Sequence, residues 1–316
     1  MRSYITKRCL LLLPTLFGVS LIIFGIVRMV PGDALVMMME QSLDADPAQM
    51  EILKRQLGLD KPLYAQYFLW IANMARGDFG TSLWQKNPVL TEIARRIPVT
   101  LELALMTTII SVLIAIPVGL FSAVRHDTFL DHVVRLFSIG GLSIPNFWLG
   151  IMAIVLPSIY LGWTPPLVYI PFAANPKIHL LQFLIPSLLM GYHFSAAIMR
   201  MARTALLEVL QQDYIRTARA KGLSGLVVLF KHALKNAMIP ILSVTGIQIA
   251  FMMGGTVIIE QIFALPGIGR LVLESIAHRD YPLLQGVLFV IASTVIVVNL
   301  VVDLLYSFFD PRIRYE

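Results

Sequence analysis

One cysteine, Cys9, in a chain of 316 residues leaves no intrachain disulfide and no cysteine-based metal cluster to consider. Charge is also scarce: Asp, Glu, Lys and Arg make up 14% of the residues, where soluble domains run near about a quarter. No Gly-x-x-x-x-Gly-Lys-[Ser/Thr] stretch occurs, nor any Gly-Lys pair, so the chain cannot cradle ATP phosphates by that route. The histidines (His126, His132, His179, His193, His232 and His278) lack the i, i+4 spacing of a zinc helix. No nucleophile and base stand at a telling spacing. These gaps argue against an enzyme, and the chain is expected to bind no metal or cofactor of its own.

What is present is apolar. Hydrophobic residues make up 57% of the chain and the mean hydropathy is +0.77, a membrane composition. The net charge of +6 then reads as cytoplasmic loops rather than as nucleic-acid binding. Crossing the hydrocarbon takes about 20 mostly apolar residues. Six stretches qualify, giving an all-α, polytopic membrane protein. They run from Cys9 to Val30, from Val99 through "VTLELALMTTIISVLIAIPVGLFSAV", from Leu136 to Leu161, from Leu180 to Met201, and from near Ala237 and near Leu283. The first is read as a retained span, because its run is longer than a signal's apolar core and no small-x-small cleavage site follows.

Loop charge gives the orientation. With the N-terminus inside, the cytoplasm receives Arg2, Lys7, Arg8, Arg125, Arg135, Arg200, Arg203, Arg216, Arg219, Lys221, Lys231, Lys235, Arg312 and Arg314. The short outside loops keep only Lys177, Arg270 and Arg279. Both termini are therefore expected in the cytoplasm. The organisation is residues 1–30 as N-terminus and first span, 31–98 as an external helical segment, and 99–316 as the core with an inside loop at 202–236. Pro14, Pro117, Pro145, Pro157, Pro186 and Pro240 lie in or beside spans, where they serve either ordinary packing or helices that move.

In the external segment, Asp46, Pro47 and Gly58 bracket one short helix. Pro62 opens another that carries Tyr64, Tyr67, Phe68 and Trp70. These aromatics read as an interfacial belt; Tyr64, Tyr67 and Trp70 are also candidates for docking an external partner. Inside, "DYIRTARAKGLSGLVVLFKHALKNAMIP" places five basic residues between apolar spans. Asp213 is expected to cap a short helix that Gly222 ends, with Tyr214, Ile215, Ala218 and Leu223 sharing one face. Arg219 and Lys221 in the last turn suit the helix dipole. A second helix is expected from Ser224 through Lys235. The pair is either a cationic helix lying on anionic lipid or a rigid knob for a cytoplasmic groove; a stop at its centre favours the knob.

This loop resembles that of the permease subunits of ATP-binding-cassette importers. Of the general Glu-Ala-Ala, three residues, Gly pattern, only Ala218 and Gly222 match; Arg216 and Thr217 replace the first two residues, and Lys235 stands where proline follows the apolar Leu234. "DYIRTARAKGL" followed by "HALKNAMIP" is instead similar to the dipeptide, oligopeptide and nickel subfamily. "PGD" at Pro31, "QLGLDKPLYAQY", "GDFGTS", "SIPNFWLG", "IFALPGIGR", "RDYP" and the tail "NLVVDLLY…DPRIRYE" extend the likeness to the B-type permease over nearly the whole chain.

The resemblance implies the type I importer permease fold in a bacterial inner membrane. It implies a second homologous permease, two ATPase subunits that use ATP and Mg, and an extracytoplasmic solute-binding protein. Asp213, Tyr214, Ile215, Arg216, Thr217, Ala218, Arg219, Ala220, Lys221, Gly222 and Leu223 would dock an ATPase. The cargo would be a dipeptide or oligopeptide, with nickel or another small solute as the alternative. A membrane anchor without a pathway is the reading from another class. Polar groups within spans face bundle interiors or aqueous cavities, so Glu102, His193, Gln248, Asn299 and Asp303 are the candidates for lining a path or for bonding helices together.

Overall fold

The computed structural model describes residues 2–29, 60–166 and 168–309. The expected helix from Asp46 to Gly58 lies outside them. The described residues are helical apart from loops and one isolated bridge between Thr81 and Pro88. In order, the helices are α1 (Arg2–Met29), α2 (Leu63–Ala75), α3 (Val89–Val124), α4 (Phe129–Ser143), α5 (Asn146–Leu161), α6 (Pro176–Leu210) and α7 (Asp213–Ala220). A single turn, α8 (Gly225–Val227), runs through a π-wound stretch, Val228–Leu234, into α9 (Lys235–Ile262). Then come α10 (Ile268–Ala277) and α11 (Tyr281–Phe309).

Among the described residues, five helices are long and apolar enough to cross a membrane: Leu10–Met29, Val89–Val124, Pro176–Leu210, Gly225–Gly254 and Tyr281–Leu305. The sixth crossing is broken. α4 and α5 meet at 94°, where a straight helix was expected from Leu136 to Leu161. Pro145 explains the break: it disfavours helical backbone at the residue before it, and Ile144 is extended (φ −88°, ψ 123°).

Other boundaries move as well. α3 begins at Val89 after Pro88 and continues through Pro98, so the division of segments at 98 and 99 falls inside a helix. Its 36 residues span about 54 Å at 1.5 Å each, longer than the hydrocarbon is thick. α6 continues to Leu210, which shortens the inside loop from 202–236 to 211–224. No separate helix follows Ser224, because the π-wound stretch joins that segment to the fifth crossing without a stop.

The strongest packing is between α3 and α6. Small residues let the two approach: Gly119 of α3 sits against Ala202 of α6, and Gly191 of α6 against Ile110 of α3, as expected where helices associate closely in lipid. Ala115, Leu120, Ile198, Met199, Leu206, Ile215, Ala233 and Ile241 form one core at the end that carries α7. Val99, Leu103, Phe183, Met190, Met252 and Ile259 form a second core farther along the bundle. Val89, Ile93, Ile268, Leu271, Leu283 and Val287 form a third beneath α10. One end of the bundle therefore gathers residues 125–128 and 211–224. The other gathers α2, residues 76–88, residues 162–175 and α10.

Candidate functional site

α7 is fastened by one face. Ile215 and Ala218 are buried in the core at its end of the bundle, while Asp213, Tyr214, Arg216, Thr217, Arg219 and Ala220 are exposed. Tyr214 and Leu223 thus leave the face expected for them. Tyr214 instead accepts a hydrogen bond at its hydroxyl from Asn236 Nδ2 (2.7 Å), tying α7 to α9. Asp213 is the first helical residue rather than the cap. Gln212 is the N-cap and makes no side-chain cap bond, while the Asp213 carboxylate sits 3.3 Å from Arg216. An acidic residue in the first turn still complements the helix dipole.

The stop falls where Gly222 predicts it. Gly222 adopts φ +77°, its N–H donates to Arg219 O (2.9 Å), and Leu223 N–H donates to Ala218 O (3.4 Å). This Schellman pair satisfies two of the carbonyls that a helix end leaves open. A Cβ on Gly222 would meet no neighbour. The requirement for glycine is therefore backbone conformation, not space. The result is a short, rigid, cationic element with Lys221 and Leu223 exposed at its end.

Beside α7 lies a knot that the sequence did not reveal. Asp131 on α4 is fully buried and accepts two bonds from Arg203 on α6, from Nε and Nη2, each 2.8 Å. It also accepts from the Ser122 hydroxyl of α3 and from the Asp127 N–H, and Arg135 lies 3.1 Å away. Three helices meet on this carboxylate. An open cavity of about 890 Å³ runs between it and the 211–229 segment, lined in part by Val124, Leu207, Leu210 and Arg219.

The opposite end is stitched by two buried carboxylates that were equally missed. Glu260 accepts from Thr100 Oγ1 (2.7 Å) and from Arg270 N–H (3.0 Å), and Thr100 Oγ1 accepts from Ile268 N–H (2.8 Å). A Cβ on Gly267 would collide with that carboxyl, which is why "LPGIG" needs its first glycine. Asp280 accepts from Ser82 Oγ (2.5 Å), from Trp84 N–H (3.2 Å) and from Leu283 N–H (3.2 Å). It thereby joins "GDFGTS" to "RDYP". Arg96 on α3 pairs with Glu274 on α10 at 2.7 Å.

The aromatics of α2 divide. Tyr64 is exposed. Tyr67 is buried against α1, sharing a hydrogen bond with Ser20 Oγ (2.8 Å) and packing edge-on to Phe17 and Phe24. Trp70 is half-buried between Phe24 and Phe289. Of the three residues considered for docking, only Tyr64 presents most of its ring outward.

The polar span residues are not gathered into one place. Asp303 pairs with Arg8 of α1 at 2.8 Å, a bond between helices, while Asn299 one turn earlier is exposed. His193 is half-buried beside Phe194, and Gln248 is half-buried on α9. Glu102 on α3 meets His179 on α6 at 2.9 Å. His179, among the residues read as scattered, is buried. Among the described residues, no group of three or more His, Cys, Asp or Glu side chains could hold a metal ion.

A bundle of five apolar crossings and one broken crossing, with a rigid charged helix hung from one end, defines a membrane permease of the type I importer architecture. Solved structures share it. Two inward-facing forms of the MetNI methionine ABC transporter superpose with TM-scores of 0.56 and 0.55 at 19% and 20% identity, over 69% and 70% of this chain and 96% and 97% of theirs.

The chain belongs to the family of binding-protein-dependent transport system inner membrane components, which it matches over residues 115–315; the N-terminal region of such components matches residues 1–104. It is 39% identical to the di/tripeptide transport system permease protein DppB of Pseudomonas aeruginosa and 40% identical to the oligopeptide transport system permease protein AppB of Bacillus subtilis. It is 39% identical to the glutathione transport system permease protein GsiC of Escherichia coli K12. Each of these alignments covers 100% of both chains. The chain is thus the permease subunit of an ATP-binding-cassette importer.

Proposed function

We propose that this chain forms half of the translocation path for di- or oligopeptides and couples it to ATP hydrolysis through α7. The observation that carries the coupling role is the one-sided fastening of that helix. Ile215 and Ala218 anchor it, while Arg216, Arg219 and Lys221 are exposed. A helix held in this way transmits a push on its outer face to α6 and α9. Two ATPase subunits, using ATP and Mg, supply the push. A second, homologous permease completes the path, and an extracytoplasmic solute-binding protein delivers cargo at the end bearing α10. Membrane lipid surrounds the spans, with α7 and both termini in the cytoplasm of a bacterial cell. Peptide cargo is supported by the relatives named for di/tripeptides, oligopeptides and glutathione.

Movement of α7 requires that the ATPases contact it differently in their open and closed states, since equal binding would shift nothing. The test is ATP-driven uptake of trialanine into liposomes holding the four-part complex with its binding protein. Gly222→Val forces a β-branched residue into a positive φ, a strain of about 1–3 kcal/mol. Uptake is expected to fall about tenfold, the equivalent of roughly 1.4 kcal/mol, with normal insertion. Uptake at the wild-type level would refute the coupling role.

A further inference from the structure

Glu102 is the one carboxylate on the exposed arc of α3 within the bilayer region. At about 100° per residue, it falls on the same side as Leu105, Ile109 and Leu113, all of them exposed. Its own side chain is 35% exposed, against 2% for its partner His179. A carboxylate facing acyl chains is costly, and ionisable groups in spans turn toward water-filled cavities or other protein instead.

The carboxylate is also held in place. His179 Nε2 lies 2.9 Å from Glu102 Oε1, and His179 Nδ1 lies 2.8 Å from Ile170 O. The carbonyl can only accept, and so can an ionised carboxylate. Each ring nitrogen therefore faces an acceptor, one on the loop and one on α3. Tyr169, Phe172 and Phe183 pack around the imidazole and fix its plane. Gln182, three residues along α6, accepts from Ile170 N–H (3.1 Å) and donates to Val168 O, so the 162–175 loop is pinned to the same helix. With Oε1 engaged by His179, Oε2 accepts no hydrogen bond among the described residues and is oriented by its partner oxygen.

We propose that Glu102, positioned by His179, is a pathway contact for the ammonium group of the transported substrate at the outer part of the permease. A desolvated ammonium needs acceptors to replace lost water, and a pre-oriented carboxylate oxygen supplies a charge-assisted one. The proposal rests on the peptide-importer reading and adds the substrate feature that this chain reads.

The test uses the complete transporter in liposomes. Trialanine uptake is measured for Glu102→Asp, Glu102→Gln and Glu102→Lys. Gln keeps an oxygen to accept from His179, so thermal stability should match the wild type while uptake falls about tenfold, roughly the 1.4 kcal/mol of one weakened charged contact. Asp should recover most of the uptake and Lys should abolish it. In a Cys9→Ser background, Glu102→Cys should react with a membrane-impermeant cationic thiol reagent, and trialanine with binding protein should slow that reaction. Equal uptake across the charge series, or a thiol inert to the reagent, would overturn the assignment. If the wild-type transporter moves no trialanine, the peptide reading itself fails and the assignment falls with it.

Discussion

The cap built from α10 and residues 76–88 lies at the opposite end of the bundle from α7, and the two are held by different physics. At the cap, Glu260 and Asp280 each accept more than one hydrogen bond, including ones from Thr100 and Ser82 far off in sequence, and Arg96 adds an ion pair to Glu274. α7 depends on two buried apolar side chains and one tyrosine–asparagine bond, and its charges are solvated. A cap cross-linked in this way behaves as one body with α3, α9 and α11. A helix attached along one face keeps the opposite face available. Both ends of the bundle use buried carboxylates, Asp131 at one and Glu260 and Asp280 at the other; the difference teaches that α7 itself is left out of these networks, with its charges exposed for contact.

Breaking the cap should have the largest effect. Glu260→Ala strips the acceptor from Thr100 Oγ1 and Arg270 N–H, and leaving buried partners unsatisfied costs about 3 kcal/mol in total. A lower melting temperature in detergent and reduced abundance in the membrane are expected, each measurable by fluorescence-detected size exclusion. Gly267→Ala should come next, because its methyl group collides with the Glu260 carboxyl and overpacking typically costs ~1–3 kcal/mol. The combined variant, Gly267→Ala with Glu260→Ala, should be less harmful than the sum of the two. Strict additivity of the two melting shifts would contradict the contact. The smallest effect belongs to Tyr214→Phe at the other end. Losing one exposed hydrogen bond to Asn236 costs about 1 kcal/mol or less, so melting should hardly change while trialanine uptake drops modestly.

The sequence made α7 legible because its signals are local. Gly222 ends the helix, Asp213 opens its first turn, and the flanking apolar runs locate it at a membrane surface. The crossings were legible by composition, yet their ends were not. Pro98 suggested a boundary that α3 passes straight through, whereas Pro145 broke a helix that hydropathy alone had joined. A proline removes one donor and disfavours helix at the residue before it, but packing decides whether the helix yields. Asp131, Glu260 and Asp280 were missed for a different reason. Their partners Arg203, Thr100 and Ser82 lie 72, 160 and 198 residues away, so no periodicity or spacing announces them. The nearest signal was "LPGIG", whose glycine makes room for a carboxylate rather than for a turn alone. Glu102 was found as a polar residue in an apolar span, but its anchoring by His179 was not.

The central claim is that the outer face of α7 meets an ATPase. A photo-crosslinking amino acid placed at Arg216 in the assembled transporter tests it directly, with the same probe at Arg279 on the opposite end as the contrast. The account predicts an adduct between the Arg216 position and an ATPase subunit whose yield changes when ATP is bound, and no ATPase adduct from the Arg279 position. Adducts to lipid alone from the Arg216 position, or ATPase adducts from the Arg279 position, would contradict it.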